Sequence, residues 1–208
     1  MQRVSPWGFV AVTVPLVLTP GMSTAVVLRN SIEGGTRAGL VTTIGINTGS
    51  FCYGLLTAFG FGLALQRWPS AWPGLRFGGA VYLMWLGAQS LRRAARPSSM
   101  ALSSDTSRGP QGAWESLAEG FMTNVLNPSI ATFYLILLPQ FIPPGAPIAR
   151  TALALTAIHI TLAATWHSTW AVAGGTLARA LATGRPRQIL EATAGAALIG
   201  LAVSILVH

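Results

Sequence analysis

Two short stretches put residues capable of chemistry where apolar chain would be expected. "LTPGMSTAVVL" spans residues 18–28 and carries Thr19, Pro20, Gly21, Ser23 and Thr24. "FMTNVLNPSIATFYLILLPQF" spans 121–141 and carries Asn124, Asn127, Pro128, Ser129 and Thr132. A proline inside a helix lacks an N–H and clashes with the preceding turn, so it frees a backbone carbonyl. Hydrocarbon satisfies no such group; neighbouring protein, a hydroxyl or water in a cavity must do so. Two interruptions with polar neighbours therefore point to a polar pocket lined by Thr19, Pro20, Gly21 and Ser23 on one side and Asn124, Asn127 and Pro128 on the other. A half-helix N-terminus favours a carboxylate and a C-terminus an ammonium, which suits a small zwitterion. The plainer alternative is two kinked helices whose Ser and Thr hydroxyls repair the lost bonds.

Other titratable groups within apolar chain are few. His159 and His167 lie eight residues apart, about 80° around a helix, so one cavity can touch both. Imidazole titrates near neutrality, which makes His159 a candidate for ion coupling or, equally, a neutral packed residue. His167, beside Trp166 and Trp170, reads better as an interfacial residue. No Asp or Glu falls deep in an apolar run: Glu33, Asp105 and Glu115 lie in loops, and Glu119 and Glu191 near segment ends. Glu119 reads as a solvated first-turn acid or a lure for a substrate ammonium. Three histidines and one cysteine, Cys52, offer no catalytic set, metal array, disulfide or cofactor motif.

The elements that position these residues are membrane helices. The 208 residues are 51% hydrophobic and only 9% charged, with a mean hydropathy of +0.55, against about 25% charged in soluble domains. The net charge of +8 comes from arginines clustered between apolar runs, with no basic face for nucleic acid. A span needs about 20 apolar residues, and the candidates are 7–28, 39–65, 71–91, 116–140, 149–173 and 188–207. The N-terminal stretch is read as a retained first span and not as a signal peptide, because Pro15 and the TPG triplet interrupt it. The predicted fold class is an all-α integral membrane protein of six transmembrane helices in two inverted three-helix halves, 1–91 and 116–208. A polar Ser-, Arg- and Pro-rich loop, 92–115, joins them.

An odd number of spans per half forces the inversion. Pro20 and Pro128 are 108 positions apart, and the same shift lays the second span over the fifth. "GGAVYLMWLG" echoes "AGAALIGLAV" at a shift of 116, from Gly79 to Gly195. Paired, proline-interrupted segments in two halves are the pattern of inverted-repeat transporters. Nine arginines follow the first, third and fifth spans and four lie on the opposite side, which makes the first set cytoplasmic and leaves both termini outside. In the second span, Gly45 and Gly49 form one small-residue seam and Ser50, Gly54, Ala58 and Gly62 another. These seams fit packing within one chain or a homodimer. Asn47, beside the first seam, either faces the pocket or bonds between helices.

"TPGMSTAVVLRNSIEGGTRAGLVTTIGINTG" followed by "GFMTNVLNPSIATFYLILLPQFI" resembles the lysine exporter (LysE/RhtB) family of bacterial amino-acid exporters over nearly the whole chain. The resemblance implies an inner-membrane secondary transporter that expels amino acids or related metabolites, driven by an ion gradient; the two three-helix halves are expected to rock about a midplane pocket and expose it alternately to each side. It places Pro20 and Gly21 in the family's first motif and Asn124, Asn127 and Pro128 in its second. Many members have PGP where this chain has Pro20, Gly21 and Met22, and an acid and a histidine near Ser50 and Tyr53. These departures bear on substrate and coupling. A cationic substrate would call for an acidic partner that the pocket lacks, so a neutral amino acid fits better. The competing classes are an ion or metal exporter, a non-transporting membrane scaffold and a membrane enzyme.

Overall fold

The computed structural model describes residues 6–19, 21–61, 67–68, 70–95, 112–182 and 184–207. Pro20 and most of the 92–115 loop lie outside them. Among the described residues there is no strand. The helices are α1 (Pro6–Leu18), α2 (Met22–Leu55), α3 (Ala71–Ala94), α4 (Ala113–Val125), α5 (Pro128–Thr132), α6 (Ile148–Ala182) and α7 (Gly184–Val207). Wider π turns, Leu56–Phe61 and Phe133–Leu137, extend α2 and α5, and a 3-10 turn, Leu138–Phe141, follows the second.

The apolar runs are helical as expected, but their joints differ. The expected loop between the first two spans is helix, interrupted only at Gly35, whose φ of 76° suits a residue without Cβ. The chain folds back at Gly35, since the Asn30 amide donates to Thr42 Oγ1 at 2.8 Å, a separation of twelve residues that a continuous helix would hold about 18 Å apart; Arg29 pairs with Glu33 one turn on within the first arm. The fourth expected span is not continuous, since α4 and the segment beginning with α5 meet at 56°. The α1 and α2 axes meet at 49°. Among the described residues one helix, Ile148–Ala173, is by itself long and apolar enough to cross a membrane, and the two bent pairs bring the number to three. The breaks explain part of the shortfall from six, because each divides an apolar run.

Small residues set the packing. A Cβ on Gly45 would sit 2.1 Å from the Leu117 carbonyl oxygen, and one on Gly120 would sit 2.2 Å from that of Thr42, so α2 and α4 touch backbone to backbone. On the second seam, a Cβ on Gly54 would strike Thr156 of α6 at 2.4 Å. The described glycines of both seams, Gly45, Gly49 and Gly54, are thus covered within the chain, and Gly62 lies outside the described residues. Asn47 lies about 200° around α2 from Gly45, away from the α4 contact.

Helices α3 and α7 pack as a reciprocal pair. A Cβ on Gly87 would lie 2.8 Å from the Gly195 oxygen, and one on Gly195 would lie 2.8 Å from the Gly87 oxygen. Ile199 then crowds Gly87 as Leu91 crowds Gly195. Gly87 and Gly195 are 108 positions apart, as are Leu91 and Ile199, so the contacts of Gly87 with Ile199 and of Leu91 with Gly195 join positions related by the shift of the two prolines. Gly79, at the start of the sequence echo, faces Gln140 and Ile136. Contacts in which residue i meets j and the equivalent of j meets the equivalent of i are those a two-fold axis produces.

The main core joins both ends of the chain: Phe9 and Val12 of α1, Phe133, Leu137 and Phe141 beyond α5, and Leu198 of α7. Outside it, Phe51, Phe59, Phe77 and Trp85 stand exposed, an arrangement suited to lipid and not to water. Gly120→Val is expected to destabilise the fold by about 1–3 kcal/mol through overpacking, whereas Gly74→Ala, with nothing within 4 Å, leaves it unchanged. Thermal unfolding in detergent measures both.

Candidate functional site

Each interruption frees backbone groups, and the surroundings answer most of them. At the α4–α5 break the carbonyl of Val125 accepts the Tyr53 hydroxyl at 2.7 Å. Asn127 caps α5, its Oδ1 accepting the Ser129 N–H at 3.0 Å, and Pro128 fills the first helical position, where no N–H is needed. The Thr132 hydroxyl returns to the Pro128 carbonyl at 2.7 Å. The two π turns are also linked, because Thr57 Oγ1 donates to the Tyr134 carbonyl at 3.0 Å. At the first break the Thr19 hydroxyl donates to the Pro15 carbonyl at 2.8 Å. The start of α2 differs: Gly21 is extended there and no side chain caps the helix. Its first N–H groups are therefore open to a ligand oxygen.

Both breaks border one cavity of about 300 Å³. Thr19, Gly21, Ser23 and Thr24 line it from the first break, and Asn124, Asn127, Ser129 and Thr132 from the second. Helix α2 adds Ile46 and Ser50, α3 adds Tyr82, Leu83 and Ser90, α7 adds Leu198, and α6 adds His159 and His167. The lining thus combines the hydroxyl and amide groups near the breaks with apolar side chains that include Leu16, Leu83, Ile136, Leu137 and Leu198.

Among the expected site residues, Thr19, Gly21, Ser23, Asn124, Asn127 and His159 come together on this wall. Asn47 does not: its amide donates to the Thr43 carbonyl of its own helix at 2.8 Å, and its Oδ1 is buried without a partner. Pro128 is exposed beside the wall and acts through the helix start it sets. Asn124 is buried; its amide donates to Ser50 Oγ at 3.2 Å, while its Oδ1 has no partner. His159 is held by an aromatic cage, its Nδ1 2.8 Å from the Tyr134 hydroxyl and its ring 4.6 Å from that of Phe133.

Several wall residues escaped the sequence reading. His167 lies on the cavity and not at an interface, buried, with Nδ1 unpartnered; the eight-residue spacing from His159 was the available signal. Ser90 and Tyr82 carry no sequence signal, since α3 has no break. Glu191, expected near a span end, is 1% exposed behind the wall and accepts the Ser90 hydroxyl on Oε2 at 2.7 Å. Glu119 is not a solvated acid: Arg29 and Asn30 both donate to it, Asn30 at 3.0 Å, and this ties α2 to α4. Among the described residues no group of His, Cys, Asp and Glu could hold a metal ion.

The family model of the LysE type translocator matches residues 14–208. A homoserine/homoserine lactone efflux protein of Salmonella typhimurium is 32% identical over 64% of this chain and 62% of its own length. A leucine efflux protein of Enterobacter is 26% identical over 81% of this chain and 78% of its own, and an uncharacterized membrane protein of Bacillus subtilis is 25% identical over 76% and 77%. No solved structure matches.

Gly21 sits where the fold gives no reason for a glycine, because an added Cβ would meet nothing closer than 4.0 Å and the backbone is extended. Gly21→Ala is expected to leave stability within about 0.5 kcal/mol while lowering ligand affinity or turnover, as a methyl group narrows the approach to the α2 N–H groups. Paired unfolding and transport measurements check this; equal loss in both would show a folding role only. Tyr53→Phe is expected to cost about 0.6–1.7 kcal/mol by stripping the Val125 carbonyl of its donor, read as a lower unfolding midpoint.

Proposed function

Because the chain belongs to the LysE type translocator family, we propose that it is an inner-membrane secondary exporter carrying a small neutral amino acid or related metabolite out of the cytoplasm by alternating access. The observation that carries this reading is the single cavity shared by two helix breaks, each lined with hydroxyl and amide groups. The uncapped start of α2 takes the substrate carboxylate, and the amide and hydroxyl oxygens of Asn124, Asn127, Ser23 and Thr19 serve the ammonium. The apolar lining, with Leu83 and Leu198, receives the side chain. Relatives named for leucine and for homoserine efflux agree with a substrate of this size and charge.

In this reading the chain crosses the membrane six times, as two inverted halves with both termini outside. The arginine distribution, the 108-residue shift between the prolines and the reciprocal Gly87 and Gly195 contact support that arrangement. The broken spans then face each other at two clasps. Toward the outside, Phe9 of α1 meets Phe141 at 5.2 Å and Phe133 at 5.9 Å. Toward the cytoplasm, Arg29 and Asn30 of α2 grip Glu119 of α4. The cavity lies between them, and alternating access opens one clasp at a time. Helices α3 and α7, paired with each other, complete the pocket lining.

The direct test loads proteoliposomes with labelled leucine, homoserine and a panel of neutral and cationic amino acids. Efflux of a neutral member is expected, and it should fall by about tenfold or more in a folded Asn127→Ala, Pro128→Ala double variant that alters the helix start; unchanged efflux removes these residues from the site. For the inner clasp, a Ser23→Cys probe in a Cys52→Ser background is expected to react about 3- to 10-fold faster with an impermeant maleimide from the cytoplasmic side once Glu119→Gln is added. An unchanged rate would mean that this contact is not a gate.

A further inference from the structure

Coupling to an ion gradient needs a group that can bind and release a proton from the cavity, and the wall narrows the choice. Its titratable members among the described residues are Tyr82, His159 and His167. His159 has its Nδ1 committed to the Tyr134 hydroxyl and its ring flanked by Phe133 and Tyr134. His167 is equally buried and on the same wall, but its Nδ1 has no partner. A buried polar atom left unbonded carries a cost that a bound proton and ligand relieve. The described charged groups on the surrounding elements stand off the wall: Arg29 is bonded to Glu119, Glu191 holds Ser90 behind it, and Glu33, Arg37, Arg92, Glu115, Arg150 and Arg185 are exposed.

We infer that His167 is the proton-binding residue of the transport cycle, with substrate and proton competing for the cavity it lines. The inference rests on the export reading above. Neutral His167 leaves the pocket open to a zwitterion. When a proton binds, the imidazolium repels the zwitterion's ammonium and the substrate leaves. One proton enters from outside as the substrate departs. It is released to the cytoplasm after the cavity reverses, and the next substrate binds the neutral ring. Each turn moves one proton inward and one net-neutral amino acid outward, so one positive charge crosses inward per cycle.

The experiment has a binding arm and a transport arm on the purified full chain. In the binding arm, the affinity of labelled leucine or homoserine, whichever the wild type binds, is measured from about pH 3.5 to about pH 8.5, a range that extends well below the free imidazole value. Wild-type affinity is expected to fall about 5- to 150-fold on acidification, the usual size of such coupling. His167→Asn, whose amide occupies the Nδ1 position, and His167→Gln should bind with no pH dependence in this range, while His159→Gln keeps it. In the transport arm, the His167 variants retain substrate exchange without a gradient but lose uphill efflux driven by an imposed proton gradient. Undiminished pH dependence in a His167 variant overturns the inference, as does loss of both binding and exchange in variants that remain folded. Absence of any amino-acid binding by the wild type would instead sink the export reading on which it rests.

Discussion

Hydrocarbon offers a backbone no hydrogen-bond partner, and this constraint governs the arrangement of the molecule. Helices along most of the apolar chain settle it internally, but the two breaks leave carbonyls and N–H groups that must be met from elsewhere. Tyr53 meets the Val125 carbonyl, the Thr19 hydroxyl that of Pro15, and Asn127 the N–H of Ser129. Thr57 binds the two π turns together through the Tyr134 carbonyl. The Thr19 and Asn127 bonds are local, but those of Tyr53 and Thr57 reach the second break from α2 and its π turn, so that break persists only in the assembled bundle. What they do not satisfy, the uncapped start of α2 and the lone Oδ1 of Asn124, remains beside the cavity.

The contacts around this cavity are of two mechanical kinds. Between α2 and α4, and between α3 and α7, glycines bring backbones together so closely that a methyl group would collide. Such interfaces have few alternative arrangements, because sliding them requires whole helices to separate. The contacts at the ends of the broken spans are made by side chains instead: a ring cluster around Phe9 at one end and the Arg29, Asn30 and Glu119 group at the other. Side chains change partners with rotamer changes alone. In the proposed cycle the tight seams serve as the frame and the two clasps as the parts that yield. Because the seams join helices from both halves of the sequence, the frame is not the same thing as either half.

Much of this was legible before any coordinates. Apolar runs gave the helices, and Pro20 and Pro128 gave the interruptions, since proline acts through local covalent geometry. Six of the nine singled-out residues share the cavity wall because each lies within a few residues of a break or, for His159, at a depth the spacing fixed. Asn47 was misplaced because its neighbours in sequence, Gly45 and Gly49, face α4 while it turns away. Glu119 was taken for a solvated acid because its partners are about ninety positions distant.

The sequence by itself therefore determined what depends on local chemistry: a membrane composition, helices, the two breaks and the residue types flanking them. Only the tertiary structure decided which breaks meet, that Ser90 and Tyr82 of an unbroken helix complete the wall, and that His159 is engaged by Tyr134 while His167 is not. Those outcomes depend on pairings across 25 to more than 100 residues, set by how closely glycine-bearing helix faces approach, and no local pattern in the chain encodes that distance.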